Sequence, residues 1–192
     1  GTPHAFSSGS FTEGRLAAKA ACKYIDDGKG EGIVVSEAQI NRRKEEIYKP
    51  LEHYRIYRNA IVAGDVNPHY INPKQGLDRL QKLMDEYCGG VTVNYMTNEK
   101  LLNIGLKKLA IMEEDLENLA AKDVHELLRA WELKHRHRAA ECVTQHTLFR
   151  KETRWPGYYY RGDATKVDDE NWHVLIVSRS EPQPGEYAME KA

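Results

Sequence analysis

Near the start of this 192-residue chain, His4 precedes a run of small polar residues, Ser7, Ser8, Gly9 and Ser10, followed by Glu13, Gly14 and Arg15. A turn of this composition entering a helix exposes backbone N–H groups beside glycines that let another group approach closely. That arrangement suits an anion, or a carbonyl that acquires negative charge. An imidazole at position 4 could donate to a bound substrate or move a proton near neutral pH. The plainer reading of the same residues is a well-capped helix start preceded by a solvated loop histidine. Neither G-x-G-x-x-G nor G-x-x-x-x-G-K-[ST] is present, so the usual dinucleotide and P-loop fingerprints are missing.

A second chemical constellation lies near the other end. Arg150, Arg154 and Arg161 alternate with Trp155 and three consecutive tyrosines, and Pro156-Gly157 forces a turn. Interleaved arginine and aromatic side chains can stack bases, bind phosphate or anchor a protein interface. They can equally form a core-edge cluster paired with Asp163, Asp168 and Asp169, whose charge would repel a phosphate backbone. An interface or that cluster is therefore expected, with no nucleic-acid binding.

Metal chemistry is not encoded. Cys22, Cys88 and Cys142 are widely spaced with no C-x-x-C pair, which excludes a disulfide framework and points to a reducing compartment. His135 and His137 sit two apart on an expected helix and project about 200° from one another, so joint ligation fails and both read as surface or interface residues. His146 and His173 have no separate role.

Helices must position these residues. Ser10 and Glu13 stand in capping-box register, so a helix is expected from about residue 11, Ala-rich, ending at Asp26 to Gly30. The charged stretch 36–63 is helical in period, and Pro50 suggests two shorter helices. Leu77, Leu80, Leu83, Met84 and Tyr87 make an apolar face ending at Gly89-Gly90, and a β-like stretch is expected over 91–95. Asn98 caps a helix with a Leu102, Leu109, Met112, Leu116 and Leu119 stripe. Asp123 starts another with Val124, Leu127, Leu128, Trp131, Ala139 and Cys142 inward, giving an antiparallel pair. Trp172 to Ser178 reads as a strand, followed by a polar, turn-rich tail.

Twenty-eight Lys and Arg against 29 Asp and Glu give a net charge of −1, and apolar runs such as Val174 to Val177 are strand-sized. Membrane insertion and bulk attraction to nucleic acid are both disfavoured. The first methionine is Met84 and the opening segment has no secretory pattern, so a piece of a longer protein is expected.

Taken together, His4 to Arg15, RKETR at Arg150 to Arg154 and DDENW at Asp168 to Trp172 resemble the flavoprotein subunits of the succinate dehydrogenase and fumarate reductase type. Those enzymes carry an arginine in the histidine-containing turn for their dicarboxylate; here the position holds Ser8, which puts dicarboxylate chemistry in doubt. HAFSSGSFTEGR with TQHTLFRKETRWPGYYYRGD is more similar to the adenylylsulfate reductase alpha-subunit branch. The resemblance implies a mainly α chain. Residues 1–30 would end an α/β FAD-binding domain, 31–147 form a helical C-terminal domain, and 148–192 be a strand-containing tail on the flavin domain or a partner.

It also implies noncovalent FAD facing Ser7, Ser8, Gly9, Ser10, Glu13, Gly14 and Arg15, with His4 at the active site. The reaction would be reduction of adenosine 5′-phosphosulfate to AMP and sulfite, or its reverse. Electrons would come from an iron–sulfur beta subunit bearing two [4Fe–4S] clusters, in the cytoplasm, with Arg150, Arg154 and Trp155 near an interface. The chain alone would bind FAD poorly and be inactive. The alternatives are another flavoprotein of the superfamily, or a helical interaction module using the basic run KHRHR.

Overall fold

The computed structural model describes residues 3–29, 32, 34–60, 67–154, 159–180 and 187–192, with backbone alone for 3–8 and 180. It divides into two compact units, Gly1–Glu45 and Glu46–Ala192. Helix α1 spans Pro3–Asp26 and α2 spans Glu37–Tyr57. Then come α3 (Pro73–Tyr87), a 3-10 turn (Val91–Val93), β1 (Met96–Thr97), α4 (Glu99–Leu116) and α5 (Val124–Phe149). The C-terminal part holds β2 (Tyr160–Arg161), α6 (Asp169–Trp172), β3 (Ile176–Ser180) and β4 (Tyr187–Lys191). The mainly α class with a strand-containing tail is as the sequence implies, and no helix of the described residues is long and apolar enough to cross a membrane.

Local chemistry explains the helix starts. Asn72 caps α3 by accepting from the Gln75 N–H at 2.9 Å while the Gln75 side chain accepts from the Asn72 N–H, and Pro73 opens the first turn. Asn98 and Asp123 cap α4 and α5 as expected. The core joins Leu80 of α3, Leu109, Met112 and Leu116 of α4, Leu119, and Ala130, Leu133 and Ala140 of α5, with Ile71, Leu77, Leu83 and Met84 packed against it. Helices α4 and α5 are antiparallel: Leu109 meets His137 and Glu117 meets Lys134.

Several expectations are corrected. Helix α1 begins at Pro3, not near residue 11, so Ser10 and Glu13 lie inside it and do not cap it. Extending a helix is far cheaper than nucleating one, and the Ala-rich body propagates back through the small residues to Pro3, whose fixed φ suits a first turn. Helix α2 runs unbroken through Pro50, which is buried; its carbonyl accepts from the Ala121 N–H at 2.9 Å, so packing holds the proline in the helix. The 91–95 stretch is a 3-10 turn instead of a strand, because Asn94 and Tyr95 take φ of 54° and 59° and the Asp85 carboxylate accepts from the Thr92 N–H and hydroxyl. Val124, Leu128 and Ala139 face outward. The inner face of α5 includes the polar residues His137, Glu141 and Thr144, which hide the apolar stripe from a hydrophobicity count. His137 is buried at 2% exposure, not at the surface, with Nε2 2.8 Å from the Leu109 carbonyl.

The tail also differs. Strand β3 starts only at Ile176, since Asp168 caps the short α6 through the Asn171 N–H and takes Trp172 into that helix. The tail expected to be turns supplies β4, antiparallel to β3 with Ser178 opposite Met189. Strands β1 and β2 pair in parallel, Thr97 opposite Arg161, which returns the chain after α5 to the front of α4.

Gly90 closes α3. A Cβ there would overlap the Asp85 Cα, backbone that has nowhere to go. Gly90→Ala is expected to destabilise the second unit by about 1–3 kcal/mol, read as a lower urea midpoint; an unchanged midpoint would contradict this packing.

Candidate functional site

The R-K-E-T-R segment leaves the end of α5, where the last helical carbonyls have no partner within the helix. Arg161 supplies one. Its side chain is 1% exposed, and Nη1 donates to the carbonyls of Thr147 (2.5 Å), Leu148 (3.2 Å) and Arg150 (2.8 Å). Its other edge forks onto Asp163, Nε at 2.8 Å and Nη2 at 2.9 Å. Asp163 also accepts from the Glu99 N–H at 2.9 Å, the first residue of α4. Pairing with Arg161, above all, holds the Asp163 carboxyl down at about 2.

Glu152 forms a second centre, fully buried at 0% exposure. It accepts from Arg150 Nη1, from Arg154 through Nε (2.7 Å) and Nη2 (2.9 Å), and from the Asp168 N–H (2.9 Å). Burial alone would raise its pKa, but these donors outweigh it and the carboxyl titrates below the ordinary glutamate range. Arg150 donates further to the carbonyls of Trp172 and Val174, both at 2.8 Å, and Arg154 to Asp169 at 2.8 Å. The Trp172 ring lies under Lys191 Nζ at 3.7 Å and edge-on to Phe149.

All three guanidinium groups are therefore committed to protein acceptors, which matches the core-edge reading and leaves none free for a phosphate. Pairing with Asp163 and Asp169 is as expected. Asp168 instead caps α6 and presents its N–H to Glu152, and Glu152 itself was not anticipated: a single glutamate between arginines gives no sign that it is buried. Trp155, Pro156, Gly157 and Tyr158 lie outside the described residues, while the Tyr159 hydroxyl donates to the Glu152 carbonyl at 3.1 Å.

These carboxylates predict an acid-labile second unit. Both titrate lower in the fold than when unfolded, so their contribution is complete above the unfolded carboxyl range near 4 and is lost as pH falls toward about 2. Urea midpoints should drop steeply between about pH 5 and about pH 2.5, and Asp163→Asn should flatten that limb. An acid limb identical in the variant would contradict the assignment.

In the first unit, the predicted site residues occupy the N-terminal half of α1. The side chains of His4, Ser7 and Ser8 lie outside the described residues. At 100° per residue, positions 4, 7, 10 and 14 fall within about 120° of one another, continued by Ala17 and Ala21, while Gly9 falls opposite. Ser10, Glu13 and Arg15 are exposed and a Cβ on Gly14 would meet nothing within 4 Å; the exposed Phe11 occupies the other side of the same arc, so the close approach of a flat group is open at the Ser10–Gly14 edge. The amide cradle is not there: the N–H groups of residues 9–14 are beyond the four free donors of a helix starting at Pro3 and are used within it. Among the described residues no cluster of three His, Cys, Asp or Glu could hold a metal ion, and Cys22, Cys88 and Cys142 are free thiols.

Residues 77–192 match the family model for the fumarate reductase flavoprotein C-terminal region. The adenylylsulfate reductase alpha subunit of Megalodesulfovibrio gigas is 42% identical over 182 residues, covering 93% of this chain and 27% of that protein. The solved structure of adenylylsulfate reductase from Archaeoglobus fulgidus superposes with a TM-score of 0.91 at 51% identity, over 99% of this chain and 29% of that one. A quinol fumarate reductase of E. coli, at 20% identity, TM-score 0.58 and 85% of this chain, shares the fold alone. The chain thus spans under a third of the length of the relatives it matches. With more than half of its residues inside the family match, the chain belongs to the fumarate reductase flavoprotein C-terminal family.

Proposed function

We propose that this chain is part of an FAD-dependent adenylylsulfate reductase, which converts adenosine 5′-phosphosulfate to AMP and sulfite, or runs the reverse in sulfur oxidation. The reading is carried by one observation: the similarity to adenylylsulfate reductase extends over essentially the whole chain, RKETR included, whereas the likeness to the fumarate enzyme is one of fold. Ser8, in place of the arginine expected for a dicarboxylate, supports the same choice. In the reaction the bond between sulfur and the AMP phosphate oxygen breaks, and the sulfur accepts two electrons. FAD, when bound, supplies that electron pair.

The residues of this chain have narrower tasks. Residues 1–30 act as the end of an FAD-binding domain, 31–147 as the helical domain and 148–192 as the segment that meets the flavin domain or a partner. The small face of α1 at Ser7, Ser10 and Gly14 gives the flavin close approach, with Glu13 and Arg15 flanking it and Ser8 and Gly9 completing the turn of helix. His4 donates an imidazole N–H to a sulfate oxygen and so favours negative charge as it develops there. The Arg161–Asp163 and Arg150–Glu152–Arg154 pairs hold the C-terminal segment in register with α4 and α5. Electrons reach the flavin from a separate iron–sulfur subunit bearing two [4Fe–4S] clusters, in the cytoplasm.

In the full-length flavin-loaded protein, His4→Ala should lower AMP-dependent sulfite oxidation at least about a hundredfold, the lower end of what a positioned acid–base group contributes, with flavin absorbance retained. Undiminished turnover would remove His4 from the site.

A further inference from the structure

Between the first turn of α3 and the middle of α5 lies a groove of about 380 Å³ whose walls and floor include Lys74, Leu77, Glu126, Arg129, Glu132, Leu133 and Arg136; the Glu126 carboxylate is taken by the Lys122 ammonium (3.2 Å) and backbone N–H (2.9 Å), which leaves three cations against the Glu132 carboxylate. Its chemistry is two-sided. Leu77 and Leu133 make an apolar floor, continuous with the core. Lys74, Arg129 and Arg136 are exposed at the rim and, unlike the three arginines of the C-terminal segment, make no side-chain hydrogen bond or ion pair among the described residues. Arg129, Leu133 and Arg136 share one face of α5 by their spacing of four and seven.

We propose that this groove docks an acidic, apolar-bearing segment of a partner protein, of the form acidic-x-x-acidic with an aliphatic side chain between the two carboxylates. Charge complementarity and spacing both select it. Arg129 and Arg136 are separated by about 10 Å along the helix axis, too far to share one phosphate or carboxylate. In an extended polyproline-II segment, residues three apart lie on one side about 9 Å from each other, which lets one carboxylate meet each guanidinium. The intervening aliphatic side chain then covers Leu77. Nucleic acid is disfavoured, because the Glu132 carboxylate in the same wall repels a continuous phosphate backbone but can accept the backbone N–H of a peptide. The site is independent of the flavin reading and stands or falls separately.

A tetramethylrhodamine-labelled, amidated peptide Ser-Glu-Leu-Pro-Glu-Ser, titrated with the full-length flavin-containing protein and followed by anisotropy, tests this. Saturable binding is expected, weakened at least tenfold in Arg129→Glu/Arg136→Glu and at least fivefold when the peptide leucine is replaced by serine, effects in the usual range for charge reversal and a lost apolar anchor. Both arginines are exposed and make no internal bond, so the variant should keep its circular dichroism; Lys74→Glu, on the other helix, gives a second test and should also weaken binding. Four outcomes would overturn the proposal: no binding by the unaltered chain, equal binding by the variants, equal binding of the serine peptide, or displacement of the peptide by oligodeoxythymidine or inorganic phosphate at equal charge concentration.

Discussion

Glu152→Ala should lower the unfolding free energy of the second unit by about 3–5 kcal/mol, the usual result of removing one partner from a buried ion pair. The carboxylate is wholly inaccessible and neutralises the inner faces of Arg150 and Arg154 while accepting the Asp168 N–H. Without it two guanidinium groups face each other across an empty, poorly solvated space, and α6 loses the contact that places it. Glu152→Gln keeps the shape but not the charge, so it should fall between wild type and alanine. The cost comes from stranded charge, not from the pair's own worth. Replacing Glu152, Arg150 and Arg154 together by apolar residues of similar size should therefore recover much of the loss. Urea unfolding at pH 7 followed by circular dichroism measures all three; a change under about 1 kcal/mol for the alanine variant would mean the pair behaves as a surface one.

Arg161→Ala is expected to cost a similar about 3–5 kcal/mol, by a different route. Among the described residues Arg161 is the most buried charged side chain of the C-terminal segment apart from Glu152, and it joins the Thr147 and Leu148 carbonyls of α5 and that of the C-cap Arg150 to a carboxylate that also accepts the first N–H of α4. Removing it leaves buried acceptors unsatisfied at the end of one helix and loosens the start of another. Arg161→Lys should cost about 2 kcal/mol, because an ammonium cannot reproduce a planar fork that serves carbonyls on one edge and a carboxylate on the other. A readout specific to this role is the Asp163 titration by carboxyl NMR. Its midpoint, held down at about 2, should move back toward the ordinary aspartate range in the alanine variant. An unmoved midpoint would show that Arg161 is not what depresses it.

The parts of this fold that were legible in the sequence are those set by local rules. Asn98 and Asp123 cap where their side chains predict, and the leucine stripe of α4 faces the core. Misreadings arose where tertiary contacts overrode local preference. Pro50 stays within a helix because its carbonyl is held by Ala121, and α5 buries His137, Glu141 and Thr144, polar types that periodicity counts as outward. The Ser10–Glu13 pair has the form of a cap but sits in mid-helix, since capping registers recur by chance wherever serine and glutamate are common.

For the candidate site the division is similar. The arginines and their aspartate partners could be read from composition, but Glu152 could not, because its importance comes from burial by α5, α6 and the chain around it. The unpaired cations Arg129 and Arg136 were visible only as part of a charged helix; their freedom is defined by what the neighbouring helices fail to offer them. His4 and the small face of α1 carry meaning chiefly through the family to which the chain belongs.

The most direct measurement is made on the full-length, flavin-containing protein together with its iron–sulfur partner: oxidation of sulfite with an artificial electron acceptor, with and without AMP, beside fumarate reduction under the same conditions. Sulfite oxidation that requires AMP, with no fumarate reduction, is the predicted result. Fumarate reduction without AMP-dependent sulfite oxidation, or a protein lacking flavin absorbance, would contradict it.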